Sequence, residues 1–239
     1  MSGEPLNGNF DEKPPVQVSE YDTSIRLFCA AYEEIFKLSH CCLSARLSDS
    51  AKVLVVGAGS GMEISAFAPL SPGWSFCGVD PSADMLALAR KKIAEKQLTN
   101  DVQLIKGYLH DLKDEQTFDA ATCILVMHFL PDDGAKLALL KNIYQRLKPG
   151  ALLVLVDGVG EPGSPAFEEI TSAWKRYPIM NGVPAEMVEK AFAEVIMQMV
   201  RFVPEPRILE LLQQAGFTGV SRFYTGFLYG GWTARKASI

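Results

Sequence analysis

Residues 53–61 read Val-Leu-Val-Val-Gly-Ala-Gly-Ser-Gly, and residues 78–81 read Gly-Val-Asp-Pro. The apolar run at 53–56 predicts a buried strand. The glycines after it predict a sharp turn whose backbone N–H groups can approach a ligand without an intervening Cβ. A second strand that ends at Asp80 places a carboxylate where it can accept hydrogen bonds from two ribose hydroxyls. The two segments together therefore predict a site for an adenosine-containing cofactor.

The spacing of the glycines indicates which cofactor class fits. Dinucleotide-binding turns have the pattern G-x-G-x-x-G, whose third glycine lets the helix pack closely under a pyrophosphate. Here the glycines stand at positions 57, 59 and 61, and Met62 occupies the place of that third glycine. A phosphate-binding Walker turn is excluded because no Gly-Lys-Ser/Thr follows.

In this order and at this separation, the two segments resemble the first two motifs of the class I S-adenosylmethionine-dependent methyltransferases. Those motifs look like V-L-x-x-G-x-G-x-G and G-x-D-x-S-x-x-M, and residues 78–85 here read Gly-Val-Asp-Pro-Ser-Ala-Asp-Met. The resemblance covers about residues 21–236, with one interruption. It implies an enzyme that transfers a methyl group from S-adenosylmethionine to a small-molecule acceptor and releases S-adenosylhomocysteine.

Strands and helices are predicted to alternate along the chain. The strands cover residues 52–56, 74–79, 102–106, 120–126 and 151–156, and a helix at 206–214 precedes two more at 220–224 and 227–234. This alternation predicts a doubly wound α/β sheet that is parallel, with helices on both faces. The resemblance implies a Rossmann-like seven-stranded sheet whose last strand is antiparallel.

The chain is predicted to form one methyltransferase domain at 19–239 after a flexible tail at 1–18, which is rich in Gly, Pro, Asn and charge. Helical spacing of apolar residues extends over 19–47. The interruption at 158–205 is a linker followed by two helical stretches, the second with a broad apolar stripe at 185–202. In related enzymes an insertion here commonly covers the substrate site. A purely structural cap and a homodimer surface are the alternatives.

The resemblance assigns cofactor contacts by motif position. The glycine turn passes beneath the methionine portion, Asp80 accepts from the ribose hydroxyls, and Met85 packs beside adenine. Tyr21, near a Phe-Asp-Glu at 10–12 that resembles the entrance of small-molecule members, closes over the cofactor. The full set is Tyr21, Gly57, Ala58, Gly59, Asp80, Pro81, Met85, Tyr108, Leu109, Leu125 and Val126.

Two positions depart from the family's pattern. Val55 stands where an acid often holds the cofactor's amino group, and Tyr108 stands where an aspartate often accepts from the adenine amine. Both departures weaken the polar anchoring of the cofactor. They leave open a non-catalytic protein that binds the cofactor or dimerises.

Candidate catalytic residues are His128 and Asp157. Methyl transfer needs an in-line approach to an activated sulfonium methyl, so a general base is required only when the acceptor is protonated at the working pH. Both residues follow predicted strands, at the carboxyl edge where such folds bind ligands. An ordinary helix-entry polar residue is the alternative for His128. Trp174, Tyr177 and Arg201 of the insertion are the candidate substrate residues.

A second enzymatic function also stays open. The Phe-Asp-Glu at 10–12, the segment running into Phe129 and Leu130, and the Ala-Gly-Phe at 215–217 also resemble carboxy-S-adenosylmethionine synthase, which makes a carboxylated cofactor for tRNA modification. Such an enzyme requires a cation facing the added carboxylate. Arg176 and Arg201 are available for that role.

Composition narrows the partners and the location. With 23 Lys and Arg against 28 Asp and Glu, the chain has no broad basic footprint for nucleic acid. Its apolar runs are too short for a membrane span, and nothing resembles a signal peptide. Five cysteines without a C-x-x-C fit a reducing cytoplasm, and three histidines without paired spacing predict no metal site.

Overall fold

The computed structural model describes Asp11, residues 16–112 and residues 117–238. Within these ranges it contains one seven-stranded sheet. The strands are β1 (Lys52–Val56), β2 (Ser75–Asp80), β3 (Val102–Lys106), β4 (Phe118–Ile124), β5 (Leu147–Gly158), β6 (Phe217–Gly226) and β7 (Tyr229–Lys236). Their order across the sheet is β3-β2-β1-β4-β5-β7-β6.

The first five strands are parallel and the last pairs with its neighbours in the opposite sense. Strand β1 lies between β2 and β4, and Val55 is in register with Gly78 on one side and with Thr122 on the other. Strand β7 is antiparallel to both β5 and β6. The predicted doubly wound α/β sheet with an antiparallel last strand is confirmed.

Helices cover both faces of this sheet. They are α1 (Tyr21–Phe28), α2 (Tyr32–Ser44), α3 (Met62–Phe67), α4 (Ala83–Glu95), α5 (Ala135–Arg146), α6 (Pro165–Met180), α7 (Ala185–Ala191), α8 (Met197–Met199) and α9 (Glu205–Gln214). Successive residues of β1 enter two different cores: Val55 belongs to the core that contains residues of α2 and α3, whereas Leu54 belongs to the core that contains residues of α5 and α9. Every helix in 16–112 and 117–238 is too short or too polar to cross a membrane.

The helix predicted over 19–47 is divided in two. Ala31 adopts a left-handed conformation with φ of 53°, which ends α1 and re-aims α2. Two carbonyl groups that lose their helical partners at the break accept hydrogen bonds from residues far along the chain. Trp174 Nε1 donates to Phe28 O (2.7 Å), and Tyr224 Oη donates to Ala30 O (2.7 Å). Local spacing could not anticipate a break that depends on these tertiary contacts.

Other boundaries also differ from the predictions. Strand β4 ends at Ile124 rather than at 126, because Leu125 is left-handed with φ of 58°. The stripe at 185–202 forms α7, a π-helical turn (Phe192–Ile196) and α8 instead of one regular helix. The insertion is helical as predicted, whereas its role as a cap and the domain limits stay predictions. Most of the predicted tail at 1–18 lies outside the described residues.

Candidate active site

A cavity opens at the carboxyl ends of β1, β2 and β4, which is where a doubly wound sheet binds ligands. Every residue predicted to contact the cofactor lines it. These are Tyr21, Gly57, Ala58, Gly59, Asp80, Pro81, Met85, Tyr108, Leu109, Leu125 and Val126. The structure therefore brings the whole predicted set together, while the contact of each residue with a cofactor stays a prediction.

The glycine turn at the floor of the cavity depends on the absence of side chains. Gly57 has φ of +69°, and a Cβ there would lie 2.3 Å from Val126 Cγ2. Gly61 has φ of +76°, and a Cβ there would lie 2.9 Å from the Cβ of Ala89 on α4. The turn is fixed to β2 because the N–H groups of Gly57 and Ala58 both donate to Val79 O (2.8 and 3.0 Å). Backbone therefore lies directly against the cavity.

Asp80, at the end of β2, is held in place by two backbone donors. Its Oδ2 accepts from Gly59 N (2.8 Å) and its Oδ1 from Ser82 N (2.9 Å). Burial raises the pKa of Asp80, and these two hydrogen bonds oppose that shift. Each carboxylate oxygen can accept a further hydrogen bond, so the ribose hydroxyls of a nucleoside can still be bound.

Helix α1 contributes its first residue, Tyr21, to one wall of the cavity. Its Asp22 accepts from Ser60 Oγ (2.5 Å) in the glycine turn and forms an ion pair with Lys92 on α4. These contacts fix α1 across the turn. Tyr21 is one of the residues that line the cavity, and burial raises the pKa of its phenol, which is therefore neutral.

Asp11 accepts hydrogen bonds from the N-terminal turn of α4. Its Oδ1 accepts from Ser82 Oγ (2.5 Å) and its Oδ2 from Ala83 N (2.8 Å), and the Ser82 hydrogen bond lowers the pKa of Asp11. Asp11 belongs to the predicted entrance at 10–12. Phe10 and Glu12 lie outside the described residues, so the entrance stays a prediction.

Leu125 and Val126 follow β4 and lead to Phe129 and Leu130, which also line the cavity. The left-handed Leu125 is held by a hydrogen bond from its N–H to Val156 O (2.8 Å), and Val126 reaches back to the glycine turn. A left-handed branched residue costs about 1 kcal/mol or more and persists only where its surroundings fix it. This conformation places both side chains in the cavity, next to the apolar Phe129 and Leu130.

Glu63, in the first turn of α3, is a cavity residue that sequence reasoning missed. Its side chain is buried, and no partner for its Oε1 is found among the described residues. Burial raises the pKa of Glu63 to about 8, although the nearby Thr122 lowers it in part. The signal in the sequence was a lone acid among the apolar positions that must pack against the sheet, between Met62 and Ile64.

His128 and Asp157, the candidate catalytic residues, lie together behind the cavity wall. His128 N donates to Asp157 Oδ1 (2.7 Å), and His128 Nδ1 lies 3.2 Å from the same oxygen. The buried Lys136 donates to Met127 O (3.0 Å) and approaches Asp157 Oδ2 at 3.9 Å. Neither candidate is among the described residues that line the cavity. They support the segment leading to Phe129, and their catalytic role stays a prediction.

The candidate substrate residues also lie away from the described cavity lining. Trp174 is buried and donates to Phe28 O, as described above. The ring of Tyr177 packs against that of Phe227 with 6.0 Å between centroids, and Arg201 N donates to His128 O (2.7 Å). All three attach the insertion to the rest of the fold. Within 16–112 and 117–238 no cluster of His, Cys, Asp and Glu could hold a metal ion.

Known proteins resemble this chain in sequence and in fold. A family model described as a methyltransferase domain matches residues 54–153. A demethylmenaquinone methyltransferase of Lactiplantibacillus plantarum is 30% identical over 182 residues, which cover 73% of each chain. A protein of the same name from Listeria monocytogenes is 30% identical over 155 residues, 63% of this chain and 62% of its own length. The chain thus spans less than two thirds of the Listeria protein's length.

A solved structure has the same fold. The 1,6-didemethyltoxoflavin-N1-methyltransferase of Burkholderia thailandensis, solved with bound 1,6-didemethyltoxoflavin and S-adenosylhomocysteine, superposes with a TM-score of 0.61 at 20% identity. The superposition covers 99% of this chain and 93% of that one. At this identity the similarity establishes the fold.

Proposed function

Because this chain belongs to the class I S-adenosylmethionine-dependent methyltransferases, we propose that it transfers a methyl group from S-adenosylmethionine to a small-molecule acceptor. One observation carries the proposal: the cavity combines a side-chain-free glycine turn with a buried Asp80 that can still accept from ribose hydroxyls. This donor and acceptor set fits the cofactor, which supplies a methyl group already activated as a sulfonium. The chain's task is then to position the acceptor and exclude water.

The chemistry of the acceptor is indicated by the wall opposite Asp80. Phe129, Leu130 and Leu139 present an apolar surface there. We therefore propose a partly apolar acceptor, in keeping with the name of the relatives that act on demethylmenaquinone. The carboxylated-cofactor alternative has no such support, because no Arg or Lys is among the described residues lining the cavity.

Calorimetric titration of the purified protein with S-adenosylmethionine, S-adenosylhomocysteine and NAD tests the proposal. We expect micromolar binding of the first two and none of NAD, and loss of binding in Asp80→Ala. The matched control is Asp84→Ala, which removes an exposed acid four residues further along. Binding of NAD alone, or of none of the three, would overturn the proposal.

Transfer itself is tested with S-adenosylmethionine carrying a labelled methyl group. We expect the label to appear in partly apolar acceptors, among them a demethylmenaquinone analogue with a short side chain, and not in polar amines. Binding of the cofactor without transfer to any acceptor would support the non-catalytic alternative.

We also propose a cytoplasmic location and homodimer formation through the insertion. All five cysteines lie in the described part of the chain and are free, which is consistent with a reducing compartment.

The proposed homodimer is supported by two exposed apolar side chains of the insertion, because Met180 and Met187 are 84% and 61% exposed. Light scattering that gives a monomer mass at micromolar concentration would contradict the dimer.

A further inference from the structure

Among the described residues that line the cavity, two have carboxyl groups, and these two groups differ in how their oxygens are bonded. Asp80 accepts from two backbone N–H groups, whereas Glu63 Oε1 has no partner within the described residues. No cationic side chain is among the described lining residues. An ionised carboxylate that is buried without a cation costs several kcal/mol, and Thr122 is a neutral partner. Since no cation from the described residues lines the cavity, the Glu63 carboxyl is stabilised there either by a proton or by a cationic group of a ligand.

The two carboxyl groups lie on opposite sides of the glycine turn. Asp80 ends β2, on one side of β1. Glu63 approaches Thr122 on β4, on the other side of β1, and Thr122 is the register partner of Val55. A nucleoside ligand whose ribose is bound at Asp80 and which crosses the turn therefore extends its other end towards Glu63.

The groups around Glu63 leave the proton as its partner in the free protein. Among the described residues, Tyr32 on α2 and Cys123 on β4 interact electrostatically with Glu63, and burial raises the pKa of both, so neither is charged near neutral pH. Since the pKa of Glu63 itself is raised to about 8, its carboxyl is mostly protonated at pH 7.

We propose that Glu63 is the residue that positions the aminoacyl end of S-adenosylmethionine, by exchanging its proton for the ligand's ammonium group. In the free protein the carboxyl is neutral. When the cofactor binds, the carboxyl proton is released to solvent and the carboxylate pairs with the ammonium, which keeps its own protons. The role rests on the proposed cofactor and explains how the site functions with the apolar Val55 on β1.

Three ligands distinguish this role of Glu63 from a purely structural one. S-adenosylmethionine and S-adenosylhomocysteine both carry the ammonium, whereas 5′-methylthioadenosine keeps the nucleoside and sulfur without it. We expect Glu63→Gln to weaken the first two by about 10- to 100-fold, the usual size of a charge-assisted hydrogen bond. Binding of 5′-methylthioadenosine should change less than about 3-fold, since it makes no contact with the carboxylate.

Proton release gives a readout independent of activity. Titrations in phosphate and in Tris, which differ in ionisation enthalpy, count the protons released on binding. At pH 7 we expect about 0.9 proton per S-adenosylhomocysteine for the wild type and almost none for Glu63→Gln, as follows from a pKa near 8. The shorter acid in Glu63→Asp should retain proton release and bind more weakly than the wild type.

Each remaining outcome has one meaning. Asp80→Asn is the control and should weaken all three ligands, because all contain the ribose. If Glu63→Gln weakens all three equally, or none, the assignment is wrong. If it binds all three normally but loses turnover with a shifted pH profile, Glu63 is a general base and the assignment is again wrong. Failure of the wild type to bind S-adenosylmethionine would instead overturn the proposed function.

Discussion

Replacing Glu63 by glutamine should stabilise the cofactor-free protein at neutral and alkaline pH, although the same change weakens cofactor binding. Burial raises the pKa of Glu63 from 4.5 to about 8. Between these values the unfolded chain has lost the Glu63 proton while the folded protein still holds it. The folded state binds more protons, so the free energy of unfolding falls as the pH rises through this window.

The structure sets an upper limit for the effect. One pH unit corresponds to about 1.4 kcal/mol, so the interval from 4.5 to about 8 amounts to about 5 kcal/mol. Partial opening of the cavity to water reduces this amount, and we expect about 2–5 kcal/mol. Glutamine has the same shape and no proton to lose, so the variant should escape the penalty. The two proteins should differ little near pH 4.5 and most above pH 8.

The assay is urea denaturation of wild type and Glu63→Gln at intervals from pH 5 to pH 9, without cofactor. The difference between their unfolding free energies isolates Glu63, because every other titrating group is common to both. Glu95→Gln, an exposed acid on α4, is the control and should follow the wild type at every pH. Parallel pH profiles for wild type and Glu63→Gln would refute the reasoning, since the carboxyl would then ionise freely in the folded protein.

Three further variants test the surroundings of the cavity. Gly57→Ala should lower the free energy of unfolding by about 2–4 kcal/mol in urea denaturation and abolish S-adenosylhomocysteine binding, because the new Cβ would collide with Val126 and the backbone has a positive φ. Adding Val126→Ala should recover only the part that is due to the collision. Lys136→Met should lower the free energy of unfolding by about 3–5 kcal/mol, because Asp157 is then buried without its cation. Adding Asp157→Asn should restore most of the lost stability. Equal losses in the single and the double variant would contradict this. Asp22→Ala should increase hydrogen exchange in α1 and leave that of α5 unchanged; unchanged exchange in both would contradict the role of Asp22 in fixing α1.

The fold and the position of the cavity could be predicted from the sequence because both depend on local patterns, whereas the contact of each lining residue with the cofactor stays a prediction. Glycines at 57, 59 and 61 after a buried strand indicate a turn built from left-handed conformations, and all three glycines adopt a positive φ. The next strand along the chain pairs with β1 and ends at Asp80. Parallel strands bring their carboxyl ends to one edge, so the residues of these turns converge on one cavity. The sequence motifs therefore predict at which edge of the sheet these residues lie, and that is enough to predict that they line the same cavity.

Residues whose surroundings come from distant segments were not predictable in the same way. The break at Ala31 depends on donors contributed by Trp174 and Tyr224, nearly 150 and 200 residues further along. His128 and Asp157 lie at the predicted edge, yet the side chain of Asp157 approaches the buried Lys136 and that of His128 approaches Asp157. Neither is among the described residues that line the cavity. A position after a strand locates the backbone, whereas the direction of a side chain depends on which partner is buried beside it.

Glu63 shows why a departure from a family motif is better interpreted with the structure than with the sequence alone. Val55 suggested that the site had lost its acid and with it some of its affinity. The register of β1 with β4 places Val55 beside Thr122, and Glu63 reaches the same place from α3. The Glu63 carboxyl is buried, and its Oε1 has no partner among the described residues, so on the proposed role it holds a proton until the ammonium group of the cofactor arrives. The loss of the acid from β1 therefore changes the pH dependence of cofactor binding more than it changes whether the cofactor binds.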